Sequence, residues 1–282
     1  MTAVALQLPP ARTLRVRTPD GLSIAAQDWG HSDEPAAELL LLHGYSQAHP
    51  CWLRQIESSL TRQFRLVSYD LRGHGSSEKP TDARYYRETS RWADELRAVI
   101  EQLRLRRPVV LTWSYAGRIL LDYLAVHGDA KLAGAVFVAA TTRSGAEFFG
   151  PAEASLRAMS DPDPQCAAEA TVAMLRASCA SALSPPELKF FLEFNSRCPP
   201  CIRGWLRGRP AQYDQVLERL DLPVLVIHGE ADQVTRPQMS QYTGSRVRGA
   251  ECLIYPNVGH MPFWETPDRF NADVSRFIQK LG

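Results

Sequence analysis

Apolar residues recur along this chain in two patterns, short continuous runs and longer stripes at helical spacing. Eight short runs predict buried strands, at residues 14–17, 22–28, 38–42, 64–70, 109–113, 132–140, 222–229 and 251–255. The stripes predict helices, most clearly over 91–103 and 266–281. Strands that alternate with helices indicate an α/β protein with a mostly parallel sheet and helices on both faces. In such a sheet, ligands bind beyond the carboxyl ends of the strands.

One predicted strand, 109–113, passes through Ser114 directly into an apolar-periodic helix. The small residues Ala116 and Gly117 allow the strand end and the helix start to approach closely. This pattern predicts a nucleophile elbow, a tight strand-to-helix turn that presents a serine hydroxyl at the sheet edge. The usual motif is Gly-x-Ser-x-Gly, whereas Thr112 and Ala116 occupy the glycine positions here. On this motif alone, an ordinary strand–turn–helix with a solvated serine stays open as the alternative.

The alternation of strands and helices lapses between residues 141 and 219. Helical patches fall around 152–159, 167–178 and 186–195, in a region rich in Ala, Pro and Ser. Large apolar residues stay frequent there, which favours a helical cap over a disordered insertion. We therefore expect three segments: residues 1–140 as the first part of the core, 141–219 as a cap, and 220–282 as the second part of the core.

Composition narrows the classes of partner. A chain of 282 residues with 45% hydrophobic content can bury a large core. The net charge is +1, from 32 basic and 31 acidic residues, so nothing favours a nucleic-acid or membrane-surface partner. The first ten residues lack the pattern of a signal peptide, and no apolar run approaches the roughly 20 residues that span a bilayer. We expect a cytoplasmic protein whose partner is a small-molecule substrate; the oligomeric state is not predicted.

Six cysteines in a chain of this length do not form a disulfide framework. Cys198 and Cys201 have redox-motif spacing, but they lie in a Pro-rich stretch outside any βαβ unit. No second Cys or His pair completes a zinc site. The sequence therefore predicts no metal and no cofactor.

Two other strand ends supply the groups that a reactive serine needs. A serine hydroxyl is a weak nucleophile unless a base, best a histidine, takes its proton, and a carboxylate must orient that histidine. Asp232 follows the run 222–229, and His260 follows the run 251–255. After 132–140 no carboxylate occurs before Glu147, which favours Asp232 as the acid. The sequence predicts Ser114, Asp232 and His260 as catalytic residues.

The remaining polar residues near strand ends have structural interpretations. His43 and His74 sit in turn motifs, where they are expected to stabilise loops. His228 lies at a strand end and is expected to pack inside. Asp70 has the position of a carboxylate that anchors its loop, with Arg72 as its expected partner.

Five motifs in this order carry a resemblance to a known family. They are residues 42–45, residues 69–77, the Ser114 elbow, residues 228–232 and residues 259–260. Over nearly its whole length the chain resembles the α/β-hydrolase superfamily, most closely its branch of capped serine esterases and cofactor-free haloperoxidases. The resemblance implies an eight-stranded α/β-hydrolase sheet with a helical cap, a Ser-His-Asp triad and an oxyanion hole.

Within that resemblance the positions of the oxyanion-hole donors follow. One donor is expected to be the backbone N–H of Tyr115, directly after the nucleophile, and the other the backbone N–H of Tyr45. Tyr45 and Trp113 are the candidate substrate-binding side chains. For Trp113, packing behind the elbow is favoured over a substrate contact.

These observations favour an ester hydrolase that acts on a small or medium apolar substrate through an acyl-enzyme. The same triad also serves C–C bond, lactone or thioester hydrolysis and perhydrolysis, and these alternatives stay open. Relatives that use aspartate at the elbow, such as haloalkane dehalogenases and epoxide hydrolases, are disfavoured because position 114 is serine. A non-catalytic ligand-binding protein is a further alternative, which Thr112 favours.

Overall fold

A single sheet organises the chain in the computed structural model, which describes residues 6–30 and 37–281. Within these residues, eight strands pair in the spatial order β1-β2-β4-β3-β5-β6-β7-β8. The strands are β1 Arg12–Arg17, β2 Ser23–Asp28, β3 Glu38–Leu42, β4 Arg65–Tyr69, β5 Val109–Trp113, β6 Gly134–Val138, β7 Val224–Gly229 and β8 Glu251–Tyr255. All eight predicted strands are present, and the predicted fold class is confirmed.

The pairing brings the predicted strand ends to one edge. β1 is antiparallel to β2, and β2 is antiparallel to β4, whereas β3 to β8 form parallel pairs. In register, Leu42 lies beside Thr112, and Trp113 lies beside Val138. Because parallel strands end at the same edge, the loops after β3, β5, β7 and β8 are neighbours there.

Thirteen α-helices connect the strands in the described part of the chain. They are α1 Leu53–Ile56, α2 Leu60–Gln63, α3 Arg84–Arg87, α4 Thr89–Gln102, α5 Ala116–His127, α6 Glu153–Ala158, α7 Pro164–Ala177, α8 Pro185–Asn195, α9 Pro200–Arg207, α10 Asp214–Glu218, α11 Pro237–Arg246, α12 Pro262–Glu265 and α13 Pro267–Gln279. Short 3-10 helices span His49–Trp52 and Ala146–Phe148. Of the helices that the structure describes, none combines the length and the apolarity needed to cross a bilayer.

The sheet buries side chains on both faces. In β3, Leu40 and Leu42 belong to an apolar cluster that includes residues of α4 and α5. Leu39 and Leu41 alternate with them and belong to a second cluster, which includes residues of α13. This alternation explains why the parallel strands read as continuous apolar runs in the sequence, since each face has its own layer of helices.

Helices α6 to α10 lie in the insertion between β6 and β7. The three predicted helical patches correspond to α6, α7 and α8. Two further helices, α9 and α10, were not predicted, because α9 has only eight residues and begins at the second of two prolines, and α10 has only five. The division of the chain at residues 140 and 219 into core and cap stays a prediction.

Candidate active site

The turn after β5 holds Ser114 in a strained backbone conformation. Its φ is +55°, in the left-handed region that non-glycine residues rarely occupy. Backbone hydrogen bonds fix this conformation: Ser114 N donates to Val138 O at 2.9 Å, and Ser114 O accepts from Thr141 N at 2.9 Å and Gly117 N at 3.1 Å. The predicted elbow geometry is therefore present, with the serine side chain only partly buried at the strand end.

The two departures from the glycine pattern fit this turn. Thr112 is an extended residue of β5 that pairs with Leu42, and its hydroxyl donates to Val136 O at 3.2 Å. A β-branched residue suits that position because it is still part of the strand. The close approach occurs one residue after Ala116: a Cβ on Gly117 would lie 2.7 Å from the Cβ of Ala140.

The loop after β3 passes directly over the elbow. A Cβ on Gly44 would lie 3.2 Å from both Ser114 Cβ and Trp113 O, so the backbone here approaches the serine closely. The next residue in the loop is Tyr45. Within the described residues, neither Tyr45 N–H nor Tyr115 N–H donates a hydrogen bond to a protein acceptor. Two free backbone donors thus flank the serine.

The loops that carry Asp232 and His260 are joined to each other. They follow β7 and β8, which are adjacent parallel strands. Ala231 N donates to Val258 O at 2.9 Å, and a Cβ on Gly229 would lie 2.0 Å from a carbonyl oxygen of the His260 loop. This close backbone contact brings together two side chains that are 28 residues apart in the sequence.

A hydrogen-bonded carboxylate orients His260. His260 Nδ1 lies 2.7 Å from Asp232 Oδ2, so this nitrogen carries the proton and Nε2 is free to accept one. Asp232 also accepts from the backbone N–H groups of Val234 and Thr235, and His228 Nε2 lies 2.9 Å from its Oδ2. Burial opposes ionisation of Asp232, but the charge of His260 and these hydrogen bonds outweigh it and hold the pKa of Asp232 well below its usual range.

Trp113 packs behind the elbow, as the sequence favoured. Its indole is 2% exposed and stands edge-on to Phe263, with ring centroids 4.9 Å apart. The indole Nε1 donates to His260 O at 2.9 Å. Trp113 therefore supports the histidine loop, and it also contributes to the cavity wall.

A cavity of about 200 Å³ opens beside these residues. Ser114 and His260 both line it, together with Tyr45 and Tyr115. In the described structure, Ser114 Oγ makes no hydrogen bond with His260. The insertion supplies much of the opposite wall, through Phe149, Glu153, Leu156, Met159, Met174, Leu175, Asn195, Arg207 and Arg209.

The hydroxyl of Tyr45 is buried without a hydrogen-bond partner in the described part of the chain, and burial raises the pKa of Tyr45. A phenol that lines a cavity and has no protein partner is available to a ligand. The predicted location of Tyr45 at the pocket therefore agrees with the structure.

His43, His74 and His228 have structural contacts, in agreement with the sequence. His43 Nε2 accepts from Leu71 N at 3.0 Å, and His74 Nε2 accepts from Ser46 N at 3.2 Å. Burial lowers the pKa of His43 to about 4 and that of His74 to about 3, so both rings are neutral near pH 7. His228 is buried as expected, but its contact with Asp232 was not predicted, because a turn after β7 creates it.

The expected pairing of Asp70 with Arg72 is wrong. Asp70 does anchor its loop, but through other partners. Its carboxylate accepts hydrogen bonds from His49 N at 2.8 Å, from His49 Nδ1 at 2.9 Å and from Ser76 N at 2.8 Å. Arg72 pairs instead with Asp20 and with Glu95 of α4. Two residues separated by one position share a side only while the chain is extended, and the chain turns at Arg72, after β4 has ended.

Sequence reasoning also missed charged residues of the cavity wall. Arg118, Arg207 and Arg209 all line the cavity, and Glu153 lies beside them. Arg118 was hidden within the apolar helix after the elbow. Arg207, Arg209 and Glu153 lie in the insertion, where the apolar pattern did not predict which residues face the sheet. A signal that could have pointed to Arg118 is a charge at the fourth position after the serine, in a helix that is otherwise apolar.

Comparison with known proteins identifies the family. Residues 39–273 match the sequence profile of the alpha/beta hydrolase family. The chain belongs to this family. The match spans the elbow, the Asp232 loop and the His260 loop, so the matched region of this α/β hydrolase includes every predicted site residue.

Individual relatives place this α/β hydrolase in the predicted branch. It is 27% identical to a bifunctional esterase/perhydrolase of Acinetobacter calcoaceticus, over 94% of this chain and 99% of that protein. It is 26% identical to a non-heme haloperoxidase of Rhodococcus erythropolis, over 94% and 98% of the two chains. The crystal structure of the esterase RhEst1 from Rhodococcus sp. ECU1013 matches with a TM-score of 0.87 and 32% identity, over 96% and 99%. The relatives support a hydrolase of the esterase and haloperoxidase branch.

Proposed function

We propose that this α/β hydrolase cleaves a carboxylic ester of a small or medium substrate through an acyl-enzyme, with Ser114, His260 and Asp232 as its triad. The observation that carries the proposal is the arrangement of His260, which is oriented by Asp232 at 2.7 Å and lines the same cavity as Ser114. The names of the relatives support ester hydrolysis or perhydrolysis as the reaction class.

The first half of the reaction acylates the serine. His260 Nε2 takes the Ser114 hydroxyl proton as Oγ attacks the ester carbonyl carbon. The carbonyl oxygen gains negative charge, and the free N–H groups of Tyr45 and Tyr115 stabilise it. His260 then gives its proton to the alcohol oxygen as the C–O bond breaks, which leaves the acyl group on Ser114.

In the second half, water replaces the alcohol. His260 takes a proton from water, the hydroxide oxygen attacks the acyl carbon, and the proton returns to Ser114 Oγ as the carboxylic acid leaves. Throughout, Asp232 stabilises the imidazolium that forms on His260. The apolar residues of the insertion, such as Leu156 and Met174, suit the apolar part of the substrate.

The decisive experiment compares two serines of the same cavity. Ser114→Ala should abolish turnover of p-nitrophenyl esters and labelling by a fluorophosphonate, with losses on the order of 1,000-fold or more. Ser178→Ala is the matched control: Ser178 also lines the cavity, but its hydroxyl already donates to Met174 O at 2.9 Å. Undiminished activity of Ser114→Ala would refute the mechanism, and a wild-type enzyme that resists the label would favour a ligand-binding protein.

Perhydrolysis is the second candidate, favoured by the name of the Acinetobacter relative. In this reaction hydrogen peroxide replaces water in the second half and the product is a peracid. Assay of acetate with peroxide beside the ester assay separates the two reactions, since only a perhydrolase forms peracetic acid.

A further inference from the structure

Arg118 is a buried guanidinium without an anionic partner in the described part of the chain. It lies in α5, four residues after Ser114, and it is 7% exposed. Its Nη1 donates to Arg209 O at 2.6 Å, whereas its Nε is fully buried and has no partner. Nη2 makes no hydrogen bond to described residues, yet it keeps accessible surface. Arg118 lines the same cavity as Ser114.

The other arginines of the cavity are already paired. Arg209 forms an ion pair with Asp122, and Arg207 lies 3.4 Å from Glu153. Within the described residues, Arg118 is thus the cavity arginine that lacks a carboxylate. A buried charge without a counter-charge is unfavourable, and a guanidinium keeps its proton at neutral pH. A ligand carboxylate would supply the missing partner.

The known contacts of Arg118 do not supply the missing negative counter-charge. Its guanidinium lies 5.4 Å from the centre of the Tyr115 ring, which gives a cation–π interaction on one side. That contact leaves the donors in the guanidinium plane free. Burial lowers the pKa of Arg118, in keeping with a charge that the protein alone does not compensate.

The other residues of the cavity wall indicate the chemistry of the rest of the ligand. Ser114 and Arg118 line one cavity of about 200 Å³, so one small molecule can reach both. Leu156, Met159 and Met174 supply an apolar surface in the same cavity. The matching ligand has an ester carbonyl, a short apolar chain and a terminal anion. A planar carboxylate is the anion that a guanidinium binds with two parallel hydrogen bonds.

We propose that the substrate is an ester that also carries an ionised carboxyl group, such as the monoester of a short dicarboxylic acid, and that Arg118 binds this carboxylate. The inference rests on the proposed esterase function, and it refines the apolar substrate expected from the sequence to one with an apolar body and an anionic end.

The test measures kcat/KM for monomethyl adipate and for neutral dimethyl adipate. The wild-type enzyme should favour the monomethyl ester by about tenfold or more, since a hydrogen bond to a charged group in a buried site has at least that effect. Arg118→Gln should remove this preference, and Arg118→Lys should restore part of it, because lysine keeps the charge without the planar fork.

Arg143→Gln is the matched control. Arg143 lies close to the cavity-lining residues Thr141 and Ser144, but it is already paired with Asp214 at 2.6 Å. Its loss removes the same charge and should leave the ratio of the two kcat/KM values within about twofold of wild type. An equal change in both variants would show a general charge effect and would overturn the role of Arg118.

A second measurement needs no variant of Arg118. Calorimetry with wild-type protein should show that the monoamide of adipate, which keeps one carboxylate, binds about tenfold more tightly than the neutral diamide. Turnover of dimethyl adipate without preference for the monomethyl ester overturns this inference and leaves the esterase function standing. Failure of both esters, together with no fluorophosphonate label on Ser114, overturns the esterase function, and the comparison of the monoamide with the diamide then decides the anion site by itself.

Discussion

Asp232 is the residue on which the geometry of His260 depends. Its Oδ1 accepts from the backbone N–H groups of Val234 and Thr235, and the Thr235 hydroxyl donates to its Oδ2 at 3.1 Å. These bonds fix the carboxylate so that Oδ2 lies 2.7 Å from His260 Nδ1. His228 Nε2 lies 2.9 Å from the same oxygen and also contacts Thr235 O, and its Nδ1 is held by the Ser240 hydroxyl at 2.6 Å. His260 is therefore oriented by a carboxylate that these hydrogen bonds hold in one orientation.

Asp232→Asn should lower kcat by on the order of 1,000- to 10,000-fold, because the amide no longer stabilises the imidazolium or fixes the proton on Nδ1. Asp70→Asn is the matched control, since Asp70 is also a buried carboxylate beside a histidine at a strand end, but it does not line the cavity. We expect that variant to lose stability and to keep kcat within about tenfold. Steady-state kinetics of folded, purified variants measures both, and equal losses would contradict the assigned role of Asp232.

At this scale the residue types and their order indicated Asp232 and His260 as the proposed acid and base. The contact between His228 and Asp232 could not be predicted, because it depends on the turn after β7 that folds the chain back by four residues. The unpaired state of Arg118 was equally inaccessible. The nearby carboxylate, Asp122, lies one turn further along α5, but it pairs with Arg209, which belongs to the distant insertion.

The element that positions Ser114, the proposed nucleophile, is the β5–α5 unit. The strand is buried along its whole length, and α5 begins at Ala116, two residues after the strained serine. The approach of α5 to the chain after β6 is possible because position 117 has no side chain. The sequence predicted this unit well, since a β-branched run followed by a small-residue turn and an apolar helix is a local pattern.

Gly117→Ala should lower the free energy of unfolding by about 1–3 kcal/mol, because its Cβ would lie 2.7 Å from Ala140 Cβ in a packed interior. Gly204→Ala is the control within another helix, α9, where the new Cβ would meet only Ser160 Cβ at an ordinary 3.6 Å. That change should be neutral or stabilising by up to about 1 kcal/mol, since alanine favours helix. Urea unfolding measures both, and a similar effect at the two positions would refute the packing argument.

At the scale of the whole molecule, the insertion is tied to the histidine loop. Glu265 accepts from Gly259 N at 2.7 Å, beside His260, and from Ala180 N at 2.8 Å, just after α7. His260 N also donates to Ser178 O at 2.9 Å. The helical wall of the cavity and the proposed base are thus held as one unit.

Buried neutral histidines make the stability of the whole molecule depend on pH. Burial lowers the pKa of His43 to about 4 and of His74 to about 3, whereas an unfolded chain has a histidine pKa near 6.5. Below pH 6.5 the unfolded state therefore binds protons that the folded state does not, so the stability present above pH 6.5 is lost as the pH falls. Each histidine should lower the free energy of unfolding by up to about 1.4 kcal/mol per pH unit between pH 6 and 4.5.

Urea unfolding at pH 7, 6, 5 and 4.5 measures this dependence. In His74→Gln the amide can still accept from Ser46 N and donate to Arg72 O, as the ring does. In this variant the free energy of unfolding should fall less steeply as the pH falls, because about one proton fewer binds on unfolding, whatever the stability of the variant at pH 7. An unchanged slope would exclude His74 as a source of the pH dependence.

The sequence by itself determined the strands, the layered architecture and the order of Ser114, Asp232 and His260, because these follow from local periodicity and from residue types at strand ends. Only the tertiary structure decided which groups meet. The joined loops of Asp232 and His260, the pairing of Asp70 with His49, and the unpaired guanidinium of Arg118 all arise from packing between distant segments. Hydrogen bonds and ion pairs of this kind act over a few ångströms, a scale that the linear pattern of residues does not encode.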